Sequence, residues 1–177
     1  MNIVIIILAV IGSIIAIFLI AGLLLPRHFR IERQVTINRP KQQVFDYVKH
    51  IRNQESYSVW VMKDPKVKLV YSGTDGKVGF KSAWESDDRN VGIGEQEIKS
   101  IKDEESVEVE IRFKKPFEAT NYALTTVSTT GDNQTLVTNE FYGQSKFPMN
   151  VMNLFMSKLV GGDMQTNLNN LKANLEK

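Results

Sequence analysis

The chain has 177 residues, a net charge of +2 and no cysteine. This length allows one domain with a hydrophobic core plus a short additional segment, but not two full domains. The small net charge argues against a nucleic-acid-binding protein, which usually carries a strongly basic patch. The lack of cysteine excludes disulfides, cysteine nucleophiles and cysteine-ligated zinc.

The first element is an uninterrupted apolar segment, residues 3–25, which contains no charged residue. As an α-helix it would be roughly 35 Å long, enough to cross a hydrocarbon core of about 30 Å. The competing interpretation is a secretory signal peptide, which would have a basic start, a shorter apolar core and a small-residue cleavage site. The sequence therefore predicts a transmembrane anchor over residues 1–25, with residues 3–25 in contact with the membrane.

Three arginines, Arg27, Arg30 and Arg33, follow this segment closely. By the positive-inside rule they predict a single-pass membrane protein whose soluble domain lies in the cytoplasm. The alternative is that some of these arginines simply belong to the first strand. A short linker over residues 26–29 would hold a domain of residues 30–177 close to the bilayer.

The soluble part begins with one strand and one helix. Alternating apolar residues predict a strand over 29–37, interrupted at Arg33. A helix follows over about 40–51. Its apolar face is formed by Val44, Phe45, Val48 and Ile51. The next segment, 53–60, is polar with two aromatic residues and predicts a short helix or turn that closes over another part of the molecule.

From residue 67 onward the apolar residues recur at every second position, which is typical of strands. Asp75-Gly76 predicts a hairpin turn. The strand after it has four alternating residues on one face: Val78, Phe80, Ser82 and Trp84. Four more strands are predicted at 91–101, 107–113, about 117–128 and 134–142. Such closely spaced strands indicate an antiparallel meander.

One face of this meander must be covered by another element. The segment from Pro148 to Glu176 predicts one long helix, the only predicted element large enough to cover it. Its stripe of Met164, Leu168, Leu171 and Leu175 should pack on the sheet. For the strand at 117–128 the inward face stays open, because Tyr122 and Leu124 compete with Ala119, Ala123 and Val127.

Several quoted stretches carry a family resemblance: IERQVTINRPKQQVFDYV, WVMKDPKVKLVYSGTDGKVGFKSAWE, GEQEIKSI, RFKKPFEA and the closing segment from FPMNVMNLFM onward. They resemble the SRPBCC or START-like superfamily, in its polyketide cyclase/dehydrase-like branch. The resemblance implies an α+β helix-grip fold, in which a curved antiparallel sheet of about seven strands surrounds a long C-terminal helix. It also implies a cavity between sheet and helix that binds apolar molecules such as lipids, quinones or polyketides. Asn139 departs from the branch, which often has tryptophan there.

The candidate ligand contacts on the sheet side are aromatic and amide residues, the usual composition of a mainly apolar site with a few polar groups. They are Tyr57, Trp60, Phe80, Trp84, Gln96 and Asn139. The alternative is that both tryptophans are ordinary core residues.

Three large apolar residues of the predicted C-terminal helix, Met152, Phe155 and Met156, lie off its main stripe. On a straight helix the stripe would instead continue through Gly161, Ser157, Asn153 and Asn150. Either the helix bends at Gly161-Gly162 and turns the three residues into the cavity wall as ligand contacts, or they rest on loops or on the membrane. We favour the cavity wall, since flexible methionines suit adaptable apolar binding.

The residues suited to catalysis are few. His28 and His50 have no nearby carboxylate at metal-ligand spacing, and Glu95 and Glu97 should be solvated if Ile98 points inward. Gly92-Ile93-Gly94 predicts a turn or bulge, because it lacks the third glycine and the strand-to-helix context of a phosphate loop. We therefore predict no catalytic residue, metal or cofactor.

The functional prediction is membrane-anchored binding or transfer of an apolar small molecule or lipid, without nucleic-acid binding. Two alternatives remain: an enzyme of polyketide cyclase or dehydratase type, and an interaction scaffold whose cavity is filled by side chains.

Overall fold

The computed structural model describes residues 2–88 and 90–177. Helix α1 (Ile3–Leu24) is long and apolar enough to cross a membrane, by length and composition. It is followed almost directly by strand β1 (His28–Ile37), which begins inside the predicted linker of residues 26–29. The connection between α1 and the folded domain is therefore even shorter than the sequence indicates.

Strand β1 leads to helix α2 (Lys41–Val48), a 3₁₀ helix (Ile51–Ser56) and helix α3 (Val59–Met62). The predicted apolar face of α2 is confirmed, because all four of its residues are buried: Val44, Phe45, Val48 and Ile51. They pack against the buried side chains of the sheet and of the C-terminal helix. The segment predicted to close over another part of the molecule is the 3₁₀ helix together with α3.

Six further strands complete an antiparallel sheet of seven: β2 (Lys68–Ser72), β3 (Lys81–Glu85), β4 (Ile93–Lys102), β5 (Ser106–Lys115), β6 (Ala119–Gly131) and β7 (Gln134–Gln144). The strand order is β1-β7-β6-β5-β4-β3-β2, so the predicted meander is confirmed and β1 pairs with the last strand. His28 pairs with Gln144, and Ile93 with Lys115. The beginnings of β1 and β4 therefore lie at the same end of the sheet, which we call the α1 end.

The prediction for Val78 is wrong. It lies in the turn before β3 and is 61% exposed, whereas Phe80 is 1% exposed. Gly76 and Gly79, on either side of Val78, have positive φ angles of 75° and 87°. Such backbone conformations break the two-residue alternation of an extended strand.

The inward face of β6 is the one that carries small residues. Ala123 lines the interior and Val127 is buried in the core, whereas the Tyr122 hydroxyl donates to Glu110 on the outer face at 3.3 Å. The outward tyrosine also stacks on Tyr142, with 5.6 Å between ring centroids. Because small side chains face inward here, the sheet leaves open space beneath the C-terminal helix.

The prediction of one continuous helix from Pro148 to Glu176 is wrong. The segment comprises a 3₁₀ helix (Met149–Met152), helix α4 (Asn153–Leu159) and helix α5 (Gly161–Leu175), separated at Val160. The long helix gripped by the sheet is α5. Its predicted stripe is confirmed, with all four residues buried: Met164, Leu168, Leu171 and Leu175.

The side chain of Arg33 lies at the break between α4 and α5. Its Nη2 donates to the backbone oxygen of Ser157 at 3.2 Å and to the hydroxyl at 3.1 Å. A Cβ atom on Gly161 would collide with the guanidinium, so the position of this arginine side chain favours a glycine here. The arginine that interrupts the apolar pattern of β1 therefore binds a carbonyl in the last turn of α4.

Candidate functional site

A cavity of about 340 Å³ lies between the inner face of the sheet and α5. This volume is at the lower end of the range for small-molecule sites, about 300–1,000 Å³. Most of its wall residues are apolar. Strand β5 and helix α5 contribute seven of them: Val107, Val109, Ile111, Phe113, Met164, Leu168 and Leu171. Small residues on β6, Ala123 and Thr125, leave the space that larger side chains would fill.

Four polar side chains of the wall bind one another in two pairs. The Gln96 Nε2 donates to Gln54 Oε1 at 2.8 Å, and the Asn139 Nδ2 donates to Thr125 Oγ1 at 2.8 Å. The Trp84 Nε1 donates to the backbone oxygen of residue 91 at 3.1 Å. These hydrogen bonds hold the side chains of Gln96, Asn139 and Trp84 in fixed orientations around a mainly apolar interior.

Tyr57 is the largest polar side chain of the wall whose polar atom has no described partner. No described residue hydrogen-bonds to its hydroxyl group, whereas its backbone oxygen accepts from Asn170 of α5 at 3.1 Å. Burial, with a smaller contribution from Tyr47, raises the pKa of the Tyr57 phenol. The hydroxyl therefore stays protonated at neutral pH and can donate a hydrogen bond into the cavity.

The cavity opens between α3 and the β3–β4 loop, where its exposed wall residues Trp60 and Asn90 lie. The Trp60 Nε1 donates to Asp163 Oδ2 at 3.1 Å, and the backbone N–H of Val59 donates to Asn167 Oδ1 at 2.7 Å. Helix α3 is thereby attached to α5. The β3–β4 loop leads into β4 at the α1 end of the sheet. The opening therefore lies toward the end of the domain that carries α1.

The structure brings five of the nine predicted ligand contacts into the cavity wall: Tyr57, Trp60, Trp84, Gln96 and Asn139. Their contact with a ligand remains a prediction. Phe80 lies outside the wall, where it stacks on Tyr71 at 5.9 Å between ring centroids and is buried in the core. It precedes β3, so the residues of that face that reach the cavity are Ser82 and Trp84.

Met152, Phe155 and Met156 also lie outside the cavity wall, contrary to their predicted position. The helix does break next to Gly161, but the break does not turn these residues inward. Met152 is 39% exposed and Phe155 51% exposed. The reason is that the opposite side of α4 carries Asn153 and Ser157, which bind the α1–β1 connection and β1.

The sequence reasoning missed several wall residues that depend on long-range pairing. Gln54 meets Gln96 from 42 positions away. Thr125 could not be assigned while the inward face of β6 was open. Val160 lies in the wall because the helix breaks there. The alternation of Ser82 with Trp84 and the apolar stripe of Met164, Leu168 and Leu171 carried usable signals for wall residues that were not predicted as ligand contacts.

The predicted carboxylate pair lies on the outer face of the sheet, away from the cavity. It is ion-paired and partly buried instead of fully solvated, because Arg112 binds Glu95 at 2.8 Å and Glu97 at 2.7 Å. The hydrogen bond from Arg112 lowers the pKa of Glu97. Ile98 is buried, as the pattern requires, and the register shift beside Ile93 and Gly94 confirms the predicted bulge.

The two histidines also lie outside the cavity wall. His28 is exposed, and the His50 Nδ1 lies 2.7 Å from the backbone oxygen of Asp46. Among residues 2–88 and 90–177 no group of three or more His, Asp or Glu side chains could hold a metal ion.

A family model described as polyketide cyclase / dehydrase and lipid transport matches residues 28–176. The chain belongs to this family. The match begins at the first residue of β1 and ends one residue after α5, so the family's domain coincides with the sheet and the helices packed on it. Helix α1 lies outside the matched residues.

Solved structures place the family member among helix-grip folds. Truncated norcoclaurine synthase from Thalictrum flavum has a TM-score of 0.66 at 12% identity, over 87% of this chain and 98% of that chain. The Mll3558 protein from Rhizobium loti has a TM-score of 0.62 at 13% identity, over 84% and 97%. The Aha1 dimer from Colwellia psychrerythraea has a TM-score of 0.54 at 15% identity, over 83% and 96%. At these identities the likeness concerns the fold alone. No curated protein matches the chain.

Proposed function

We propose that the domain binds an apolar small molecule, of lipid, quinone or polyketide-like chemistry, and that α1 holds it at a membrane while it does so. The observation that carries this proposal is the cavity of about 340 Å³ beneath α5. Its described wall contains no Asp, Glu, His, Lys or Arg side chain. A ligand with formal charge would therefore lose its hydration without gaining an ionic partner.

The cavity favours binding over the scaffold alternative. A scaffold would fill its interior with side chains, because empty volume costs packing energy. Here Ala123 and Thr125 face a space that neighbouring side chains do not occupy.

Tyr57 supports a ligand that carries one hydrogen-bond acceptor, such as a carbonyl, ester or hydroxyl oxygen. Its protonated hydroxyl is a donor in the wall for which no described residue is a partner. Replacing it in Tyr57→Phe should weaken binding of such a ligand by about 1 kcal/mol, roughly fivefold, because one neutral hydrogen bond is lost. A hydrocarbon probe without an acceptor should bind both proteins equally.

The cyclase or dehydratase alternative also depends on Tyr57, which is the one titratable side chain among the described wall residues. A raised pKa makes it a proton donor and not a base at neutral pH. An enzyme would lose turnover in Tyr57→Phe and keep its affinity for substrate. The binding function instead predicts weaker ligand affinity in Tyr57→Phe and no turnover in either protein.

The membrane part of the proposal rests on α1 and on the positive charge that follows it. Arg30 is ion-paired with Glu140 and Arg33 binds Ser157, so both belong to the domain as well as to the flank. Arg27 is exposed. We propose a single pass with the domain in the cytoplasm. The intact mass of the protein in the membrane fraction tests whether α1 is an anchor. Retention of residues 1–25 supports an anchor, and their removal indicates a signal peptide.

The ligand itself is tested by native mass spectrometry of the detergent-solubilised full chain, with co-purified lipid as the readout. Ala123→Phe fills the cavity and should abolish the lipid-bound species. Leu124→Phe places the same side chain one residue away on the outer face of β6, and should leave it unchanged. Equal lipid occupancy in both variants, each shown to be folded by circular dichroism, would contradict binding in this cavity.

A further inference from the structure

Helix α4 and the 3₁₀ helix before it present their apolar side chains outward. Six large apolar residues of this segment and its approach are 39–62% exposed: Phe147, Met149, Met152, Leu154, Phe155 and Leu159. We call them the outer apolar face. Two polar residues of the same segment, Asn150 and Asn153, point inward, which is the reverse of an ordinary surface helix. Contiguous exposed apolar surface of this kind marks a contact with a partner or a membrane.

The inward polar residues attach this segment to the end of α1. The buried Asn150 Nδ2 donates to the backbone oxygens of Gly22 at 2.8 Å and Leu25 at 2.9 Å. The Asn153 Nδ2 donates to the backbone oxygens of Pro26 at 3.2 Å and Arg27 at 3.1 Å. These bonds satisfy carbonyls that a helix end leaves without partners. They also set the depth of the segment relative to α1.

That depth is within the apolar part of α1. The ring of Phe147 lies beside Gly22, where an added Cβ would come within 3.1 Å of it. Gly22 precedes the last helical residue, Leu24, by about 3 Å along the helix axis. Leu23 and Leu24 flank this contact and are 72% and 81% exposed. A bilayer that covers α1 to its end would therefore reach the outer apolar face as well.

The charges around this face fit the same position. Arg27, Lys146 and Lys158 are exposed beside it. At the edge of a membrane-embedded surface such side chains extend toward lipid phosphates while their apolar stems stay in the boundary layer.

We propose that the outer apolar face lies in the interfacial layer of the same bilayer that holds α1. This inference rests on the membrane anchoring in the proposed function. The α1 end of the sheet is then held toward the membrane, and so is the cavity opening beside Trp60 and Asn90. An apolar ligand passes between bilayer and cavity without crossing bulk water.

The chain has no cysteine, so single cysteines can be introduced and spin-labelled without a background. The full chain is reconstituted in vesicles of phosphatidylcholine with phosphatidylglycerol. Collision with oxygen, which concentrates in lipid, is compared with collision with a water-soluble nickel chelate. Leu154→Cys and Phe155→Cys report on the outer apolar face. Asn133→Cys is the aqueous control, because it lies in the turn between β6 and β7 at the opposite end of the sheet.

The expected result is an oxygen-to-nickel ratio several-fold higher at positions 154 and 155 than at position 133. A ratio equal to that of the control would overturn the proposal, and so would a label shielded from both reagents, which indicates a protein partner or a second copy. Ile14→Cys, in the middle of α1, separates the two levels of inference. A lipid-exposed label at position 14 with aqueous labels at 154 and 155 refutes the docked face alone, whereas an aqueous label at position 14 refutes the anchor and the docked face together.

Discussion

Helices α4 and α5 follow one another in the chain, and both carry large apolar side chains, yet they place them against different surroundings. In α5 the apolar stripe is buried against the sheet, with Leu171 at 2% exposure. In α4 large apolar residues face outward, with Leu154 at 62% exposure, whereas Asn153 and Ser157 bind the α1–β1 connection and β1. Apolar residues at helical spacing show that a face avoids water, but they do not show what covers it.

The largest expected difference between the two helices is in stability. Leu171→Ala removes a buried side chain and enlarges the space beneath α5, so it should lower the free energy of unfolding by about 2–5 kcal/mol. Leu154→Ala, the matched change in α4, should lower it by less than about 0.5 kcal/mol in detergent solution. Urea unfolding of the solubilised full chain measures both. Equal losses would mean that α4 is packed as α5 is.

Alkaline pH should also act through the α5 side, where Tyr57 packs. Burial raises the pKa of Tyr57 and of Tyr71, for which a hydrogen bond to Glu55 contributes next. The unfolded chain ionises its tyrosines near pH 10 while these two stay protonated in the folded state. The folded state then binds more protons, so this contribution to the free energy of unfolding should be fully present below about pH 10 and fall above it. For the buried Tyr57 the fall is up to about 1.4 kcal/mol per pH unit.

Tyr57→Phe is the variant that isolates this contribution. It should reduce the slope of stability against pH above pH 10 by one group and leave the neutral-pH slope unchanged. Unfolding curves measured between pH 7 and 11 provide the comparison. An unaltered alkaline slope would show that the Tyr57 hydroxyl is not buried under α5.

The smallest expected effects concern the junction of the two helices. Gly161→Ala should force the Arg33 guanidinium away from Ser157 and cost roughly 1 kcal/mol, about the worth of one hydrogen bond. A Cβ on Gly162 meets no atom within 4 Å. Gly162→Ala should therefore stabilise the protein by about 0.5–1 kcal/mol, since alanine favours a helix over glycine.

The double variant Arg33→Ala/Gly161→Ala tests the cause. If the arginine is what requires the glycine, adding Gly161→Ala in the Arg33→Ala background should no longer cost stability. A loss that persists there would place the requirement in the backbone at Val160.

Local patterns identified most of the elements. Four patterns can be recognised in the sequence alone: the length and composition of residues 3–25, the apolar face of α2, the two-residue alternation from β4 to β7 and the stripe of α5. Each of these depends on residues that are close in sequence, and burial of one face imposes the spacing directly. The motifs that resembled the family were equally local, and the match over residues 28–176 bears them out.

The candidate site was harder to predict, because several of its residues meet across long sequence separations. Phe80 has the pattern of a cavity residue but lies before the first residue of β3 and outside the cavity wall. Gln54 and Thr125 gave no signal until their partners Gln96 and Asn139 were placed beside them.

The sequence by itself determined the class of the fold and the apolar N-terminal helix, and its family resemblance predicted a domain that binds apolar ligands. Only the tertiary structure decided which face of β6 points inward, where the C-terminal segment breaks and which way α4 turns. The physical reason is that these choices depend on single contacts between distant residues. Arg33 reaches Ser157 across 124 positions, and Asn150 reaches Gly22 across 128. Periodicity within one helix contains no information about such partners.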